Sequence, residues 1–176
     1  MSSAPQVEIR LMATGDVDRV MKIAASLPSS PQWPRKVWSD ALDPDVTPRR
    51  IALVAEQFHA KPLPREELNP KPVPGAILGF VVASLLPPQA ELEIIAVAGQ
   101  SQRKGLGSQL MRALADQMIE AGIAEILLEV RASNRPAIGL YSRFGFSQSG
   151  VRKSYYTDPI EDAALMAKQL SAPLEP

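Results

Sequence analysis

One uninterrupted segment, residues 91–131, passes from an apolar run through a glycine-containing turn into a long amphipathic stretch and then a second apolar run. The two runs, ELEIIAVA and AEILLEVRA, have the length of strands. Between them, apolar side chains recur every four residues until Gly122 supplies a C-terminal cap; they are Leu106, Leu110, Leu114 and Met118, with Met111 alongside. Strand, helix and strand in immediate succession favour a mixed α/β sheet.

The flanking sequence continues the same alternation. VEIRLMA, RRIALVAEQ and GAILGFVVASLL predict strands before this segment, and TGDVDRVMKIAASL and the stretch opened by Pro34 predict helices. After it, NRPAIGLYSRF predicts a short helix, and GFSQSGVRKSYY and EDAALMAKQL predict two strands joined by a TDP turn. Residues 58–74 contain five prolines and predict a protruding loop, and residues 171–176 predict a flexible tail. We therefore predict a single domain over residues 1–176.

Composition excludes several classes of function. Lysine plus arginine equals aspartate plus glutamate at 19 each, so the chain has no net field to recruit nucleic acid or an anionic membrane. Cysteine is absent, which excludes disulfides, thiolate metal sites and a cysteine nucleophile and agrees with a reducing cytoplasm. No apolar run approaches 18 residues, and the N-terminus lacks a basic start with an apolar stretch. We expect a cytoplasmic protein without a metal, and composition leaves the oligomeric state open.

The turn that opens the long helix, GQSQRKGLGSQL, has the features of a phosphate site. Free N–H groups at a helix start attract anions, and Gly105 and Gly107 let the backbone approach them closely. The simpler alternative is a tight strand-to-helix turn, since G-x-G alone is a weak signal, but Arg103 and Lys104 beside it favour a pyrophosphate. A dinucleotide-binding fingerprint fails on spacing, with Leu110 where its last glycine belongs, and a G-x-x-x-x-G-K-[ST] loop is absent.

QRKGLG, residues 102–107, resembles the Q/R-x-x-G-x-G/A signature that holds the pyrophosphate of acetyl-coenzyme A in the GNAT superfamily of N-acetyltransferases. LEVRASNRPAIGLYSRFGF, VRKSYY and EDAALM resemble a narrower group, the bacterial ribosomal-protein-alanine N-acetyltransferases of RimI type. This resemblance spans residues 91–170 and implies a GNAT-like α/β fold, a mixed and mostly antiparallel sheet of about seven strands with about four helices. It also implies acetyl-coenzyme A as co-substrate and a protein or peptide N-terminus as acceptor.

The resemblance assigns roles to individual positions. It implies Glu129 as proton acceptor and Tyr141 as proton donor. It also implies cofactor contacts from a strand splayed by a bulge, from the loop that holds the pyrophosphate and from an asparagine that contacts the pantetheine arm. These residues are Ile95, Ala96, Val97, Gln102, Arg103, Lys104, Gly105, Leu106, Gly107, Ser108 and Asn134. The chain departs from the family at Ile94, where asparagine or threonine is common, and at Gly139, where alanine is usual.

The chemistry accounts for these residue types. An α-amine with a pKa near ~8 must lose a proton before it attacks a thioester, and a departing thiolate is helped by a phenol. Each residue also has a plain structural alternative: Glu129 as ion partner of Arg131 or Arg135, and Tyr141 as core.

Other residues have similar alternatives. Asn134 suits a helix cap as well as a cofactor contact. Packing is the expected role of Trp33 and Trp38, although they and the tyrosines at 155 and 156 could line a peptide groove.

Three functional hypotheses remain. The first is acetylation of the N-terminal α-amine of a ribosomal protein by direct attack. The second keeps the mechanism with another protein N-terminus or a small-molecule amine as acceptor. The third is an acyl-coenzyme A binding domain without catalysis, which would need the loop but neither Glu129 nor Tyr141.

Overall fold

The computed structural model describes residues 6–28, 30–58 and 75–170. Phe58, which the prediction places in the loop, belongs to a strand. The rest of the predicted loop, residues 59–74, and the predicted tail, residues 171–176, lie outside the described residues. No helix among the described residues is long and apolar enough to cross a membrane.

The described residues form seven strands and four α-helices. The strands are β1 (Gln6–Leu11), β2 (Arg50–Phe58), β3 (Ala76–Leu86), β4 (Gln89–Val97), β5 (Glu125–Arg131), β6 (Ser147–Thr157) and β7 (Ile160–Gln169). The helices are α1 (Val17–Ala25), α2 (Arg35–Leu42), α3 (Leu106–Glu120) and α4 (Arg135–Arg143). One sheet contains all seven strands in the order β1-β2-β3-β4-β5-β7-β6, and only β4 and β5 run parallel. The mostly antiparallel sheet with about seven strands and four helices is confirmed.

The helices cover both faces of the sheet and enclose two cores. On one face, α3 packs over β2, β3 and β4 and buries Leu110, Leu114 and Met118, as the four-residue period predicts. On the other face, Trp38 of α2 is fully buried in the core that α1 and α2 cover, and its ring stands nearly perpendicular to that of Phe80 at a centroid distance of 5.3 Å. Packing is therefore the role of Trp38, whose indole also lies 4.9 Å from that of Trp33.

Strand β4 contains a bulge that exchanges its two faces. Val82 pairs with Ile94 and Ala83 pairs with Leu92, so Glu93 is an extra residue in the ladder between β3 and β4. Before the bulge, Ala90 and Leu92 belong to the α3 core; after it, Ile94 and Ala96 belong to the α1–α2 core. Without the extra residue all four would face the same side, since side chains alternate along a strand.

Candidate active site

A cleft opens where strands β4 and β5 separate. Their parallel pairing runs only from Gln89 with Glu125 to Leu92 with Leu128, and it ends next to the bulge. Beyond that point a cavity of ≈ 1040 Å³ lies between the two strands and extends to the start of α3 and to one face of α4. The cleft is therefore a gap in the sheet itself, and backbone groups of β4 border it.

The amides of Ile95 and Val97 point into this gap. The Ala98 N–H donates to the Leu78 carbonyl at 2.8 Å, so the alternation of an antiparallel ladder turns the Ala96 N–H toward β3 and the amides of Ile95 and Val97 away from it. In agreement, the Val97 carbonyl accepts from Gln102 Nε2 at 3.0 Å and not from β3. Since β5 does not pair here, these two N–H groups are available to a ligand.

The turn between β4 and α3 forms a concave stretch of backbone. Arg103 and Gly105 both adopt left-handed conformations, with φ of 59° and 82°, and α3 begins at Leu106. Left-handed residues alternating with others turn successive N–H groups inward, which makes an anion-binding nest. Only glycine adopts the left-handed region without strain, which explains Gly105. The nest opens onto the cleft at the positive end of the longest helix.

Helix α4 packs closely against the first turn of α3. A Cβ placed on Gly107 would lie 3.3 Å from Leu140 Cδ2, tighter than an ordinary contact. Asn134 caps α4, because its Oδ1 accepts from the Ala137 N–H at 3.3 Å, and it also lines the cleft. The cap role is thus confirmed, and the position remains open to a ligand.

Glu129 lies on β5 at the edge of the cleft. Its side chain is 20% exposed, and its Oε1 lies 2.9 Å from Arg152 Nη1 on β6. The structural alternative of an ion pair therefore applies, but with another arginine than Arg131 or Arg135. Arg131 instead binds Glu161 at 3.1 Å and the carbonyls of Asp158 and Pro159. The pairing of β5 with β7 and of β7 with β6 places Arg152 beside the carboxylate, and sequence distance alone gives no sign of this.

Tyr141 enters the cleft from α4. The residue is 7% exposed, and burial, with a smaller contribution from Tyr156, raises the pKa of its phenol well above the usual value of a tyrosine. The phenol is therefore protonated at neutral pH and able to donate. Its ring also packs in the α3 core, with a centroid 5.8 Å from that of Phe146, so the structural alternative and a role at the cleft apply together.

Most of the predicted site residues meet at this one cavity. It is lined by Ile95, Ala96, Val97, Gln102, Arg103, Gly105, Leu106, Gly107, Ser108, Glu129, Asn134 and Tyr141. Lys104 is exposed and does not line it, and of the four aromatic residues considered for a groove only Tyr155 and Tyr156 do.

Sequence reasoning missed some of the lining. Glu91, Glu93 and Arg143 border the cleft, as do residues between α1 and α2. Charged residues at alternate positions of a strand were the available signal for the two glutamates. The Glu129 carboxylate, as a hydrogen-bond acceptor, raises the pKa of Tyr155, so this tyrosine belongs to the same polar group of side chains.

Comparison with known proteins gives consistent results. The model of the acetyltransferase (GNAT) family matches residues 30–146. The [ribosomal protein bS18]-alanine N-acetyltransferase of Escherichia coli K12 is 41% identical over 99 residues, 55% of this chain and 67% of that protein. A Bacillus subtilis protein provisionally given the same name is 31% identical over 158 residues, 90% of this chain and 92% of that protein. The crystal structure of the ribosomal-protein-S18-alanine N-acetyltransferase from Escherichia coli has a TM-score of 0.73 at 29% identity and covers 97% of both chains.

Proposed function

The chain belongs to the GNAT acetyltransferase family, and from this premise we propose that it transfers the acetyl group of acetyl-coenzyme A to the N-terminal α-amine of a ribosomal protein. One observation carries the proposal: a single cleft joins an anion-binding nest at a helix start to a carboxylate, Glu129, and a protonated phenol, Tyr141. The acceptor class follows from the names of the relatives in Escherichia coli and Bacillus subtilis.

The residues of the cleft suit the donor. The nest over residues 102–107, with the guanidinium of Arg103, would hold the pyrophosphate, and the open amides of β4 together with Asn134 would bind the pantetheine arm. The bound donor supplies an activated acetyl group as a thioester. Ile95 or Val97 would donate the backbone N–H that stabilises the tetrahedral oxyanion, because the Ala96 N–H points at β3.

Glu129 would act on the acceptor. The protonated α-amine loses one proton to the carboxylate, directly or through a water, and its free electron pair then attacks the acetyl carbon. The amine competes for the carboxylate with Arg152, whose side chain is 53% exposed. An arginine on a surface strand can move away at small cost, since exposed ion pairs contribute little to stability.

Tyr141 would act on the leaving group. As the new C–N bond forms and the C–S bond breaks, the phenol donates its proton to the departing thiolate. The nitrogen gives its second proton to solvent as the amide forms, Glu129 releases its proton there as well, and the phenol recovers one from solvent. Its raised pKa keeps this proton in place before the reaction. Direct attack needs no acyl-enzyme, in agreement with the absence of cysteine from the chain. Since ribosomal proteins and coenzyme A meet in the cytoplasm, we place the reaction there.

Thiol release from acetyl-coenzyme A, measured with a panel of acceptors, tests the proposal. We expect turnover with peptides that begin with the N-terminal sequence of a ribosomal protein starting in alanine, and none with the same peptides blocked at the α-amine. Turnover only with other N-termini or with small amines would contradict the ribosomal acceptor and keep the chemistry. Cofactor binding without release from any acceptor would contradict catalysis.

A further inference from the structure

An ion pair spans the sheet beside the cleft. Arg50 on β2 donates from Nε to Oε2 of Glu93 on β4 at 2.7 Å, and from Nη2 to Oε1 at 3.0 Å. Strand β3 lies between these two strands, so the pair crosses it. Only 15% and 18% of the two side chains are exposed. Two parallel hydrogen bonds fix both the position and the direction of the carboxylate, which a single contact does not.

The carboxylate that Arg50 holds belongs to the bulge. Glu93 is the extra residue that lets Ile94 and Ala96 pack on the α1–α2 side while Leu92 packs on the α3 side. Pairing of β4 with β5 ends one residue earlier, so no ladder on that side secures the backbone at this point. Interactions of the Glu93 side chain must therefore help keep the bulge in its register.

We propose that Arg50 is a positioning residue for acetyl transfer: through Glu93 it fixes the bulge, and the bulge directs the amides of Ile95 and Val97 into the cleft. The inference rests on the proposed function, because it assigns these amides to the acetyl oxygen and the pantetheine arm. A bulge that slips by one residue exchanges the groups on the two edges of the strand, so the same amides would turn toward β3 and away from the cleft.

The character of the pair supports this role. Hydrogen bonding to Glu93, with a smaller attraction from Asp40 of α2, raises the pKa of Arg50, so the guanidinium stays charged over the whole working range. Lysine cannot replace it fully, because an ammonium is a compact charge and does not present two parallel N–H donors in one plane. The Arg50–Glu93 pair also neutralises one of the acidic side chains that border the cleft, where Glu91 and Glu129 lie as well.

Arg50→Met tests the proposal, since methionine keeps apolar bulk and removes the guanidinium with its two hydrogen bonds to Glu93. We expect kcat to fall about 10- to 100-fold, because small displacements of a stabilising group are costly to a reaction. The Kd of coenzyme A should rise by a smaller factor than kcat falls, because the pantetheine arm loses amide contacts while the nest over residues 102–107 is untouched. Arg50→Lys should give an intermediate kcat, and it serves as the test variant if Arg50→Met does not fold.

Arg10 offers a matched control on the same sheet. It pairs with Glu56 at 2.6 Å and with Asp16 at 2.7 Å, both partners are partly buried, and none of the three residues lines the cleft. Arg10→Met should therefore lower the melting temperature and leave kcat within about twofold at a temperature where the variant is folded. Comparison of the two variants separates loss of stability from loss of positioning.

A charge exchange and an amide measurement complete the test. Arg50→Glu combined with Glu93→Arg should recover part of the kcat that Arg50→Glu alone loses. Hydrogen exchange and NMR shifts of the amides over residues 94–97 should change in Arg50→Met without any substrate, and not in Arg10→Met. If Arg50→Met destabilises like the control while kcat and these amides stay as in the wild type, the proposal is wrong. If the wild type acetylates nothing, the proposed function fails while the amide data still decide the positioning role.

Discussion

Glu129 and Tyr141 reach one cleft from opposite faces of the sheet. Tyr141 belongs to the core under α3, together with Leu128 and Val130, and Glu129 lies between those two residues on β5 and so points to the other face. They meet only because β4 and β5 separate beyond Leu92 and Leu128. The two residues proposed as proton acceptor and proton donor would thus stand on the two sides of a thioester bound in the gap, as the proposed direct attack requires.

Glu129→Gln should lower kcat by about 100-fold or more, because the amide cannot accept the proton of the acceptor amine. The Kd of coenzyme A should remain nearly unchanged, since the nest and the β4 amides are intact. Steady-state thiol release and calorimetric titration measure the two quantities. Glu125→Gln is the control, because Glu125 lies on the same strand and accepts from Gln89 and Gln169 far from the cleft. Equal rates in the two variants would remove Glu129 from the mechanism.

Tyr141→Phe should reduce kcat with little change in stability at neutral pH, since the ring that packs against Phe146 is retained. In the wild type, kcat should show no loss from phenol ionisation up to about pH 10, because burial raises the pKa of Tyr141 above the free value near ~10. A pH–rate profile measures both. An alkaline decline below pH 9 that disappears in Tyr141→Phe would show that the phenol ionises earlier than the structure implies.

The raised pKa of Tyr141 also makes the free energy of unfolding depend on pH in the alkaline range. The folded state holds the Tyr141 proton more tightly than the unfolded chain, so this contribution is fully present below about pH 10 and is lost as the pH rises through the folded-state pKa. Urea unfolding between pH 8 and pH 11 should therefore show a steeper alkaline loss of unfolding free energy in the wild type than in Tyr141→Phe. Parallel curves would contradict the burial of the phenol as the cause.

Gly107→Val should weaken coenzyme A binding by at least about tenfold. Its Cβ would lie 3.3 Å from Leu140 Cδ2, and its methyl groups would have to enter the cleft or push α4 away from the nest. Calorimetric titration gives the affinity. Gly99→Ala serves as control, because a Cβ at Gly99 meets nothing within 4 Å and should leave binding unchanged. Wild-type affinity in Gly107→Val would argue against a diphosphate at this turn.

Gly139→Ala should stabilise the protein by about 0.5–1 kcal/mol, since a glycine inside α4 costs that much helix stability relative to alanine. A Cβ at this position finds room, because its nearest neighbour is Arg143 Nη1 at 3.9 Å. Thermal unfolding should show a melting temperature higher by a few degrees, with kcat unchanged. A lower melting temperature would contradict the prediction that a methyl group at this position fits beside Arg143.

Features carried by local periodicity were predictable from the sequence. The buried residues of α3 follow a four-residue repeat, and Gly122, with a φ of 75°, ends the helix as its position predicts. The cap at Asn134 and the turn at residues 102–107 are likewise local, because each depends on residues within one helical turn.

Features that depend on strand pairing were not predictable. ELEI in β4 alternates regularly, so it predicts Leu92 and Ile94 on one face, and the bulge that separates them arises only from pairing with β3. The partner of Glu129, Arg152, is distant in sequence and becomes a neighbour through β7. Pairing energies of this kind belong to the tertiary structure and leave little trace in a single strand.

The short junction between β4 and β5 also bears on cooperativity. Four residue pairs join the block of β1, β2, β3 and β4 to the block of β5, β7 and β6, and beyond them the main chain of β4 pairs with no described strand on that side. A pantetheine chain carries amides of its own and can make the hydrogen bonds that β5 does not make with this part of β4. Binding of the donor should then join the two blocks so that they unfold as one unit, and the substrate would also stabilise the fold.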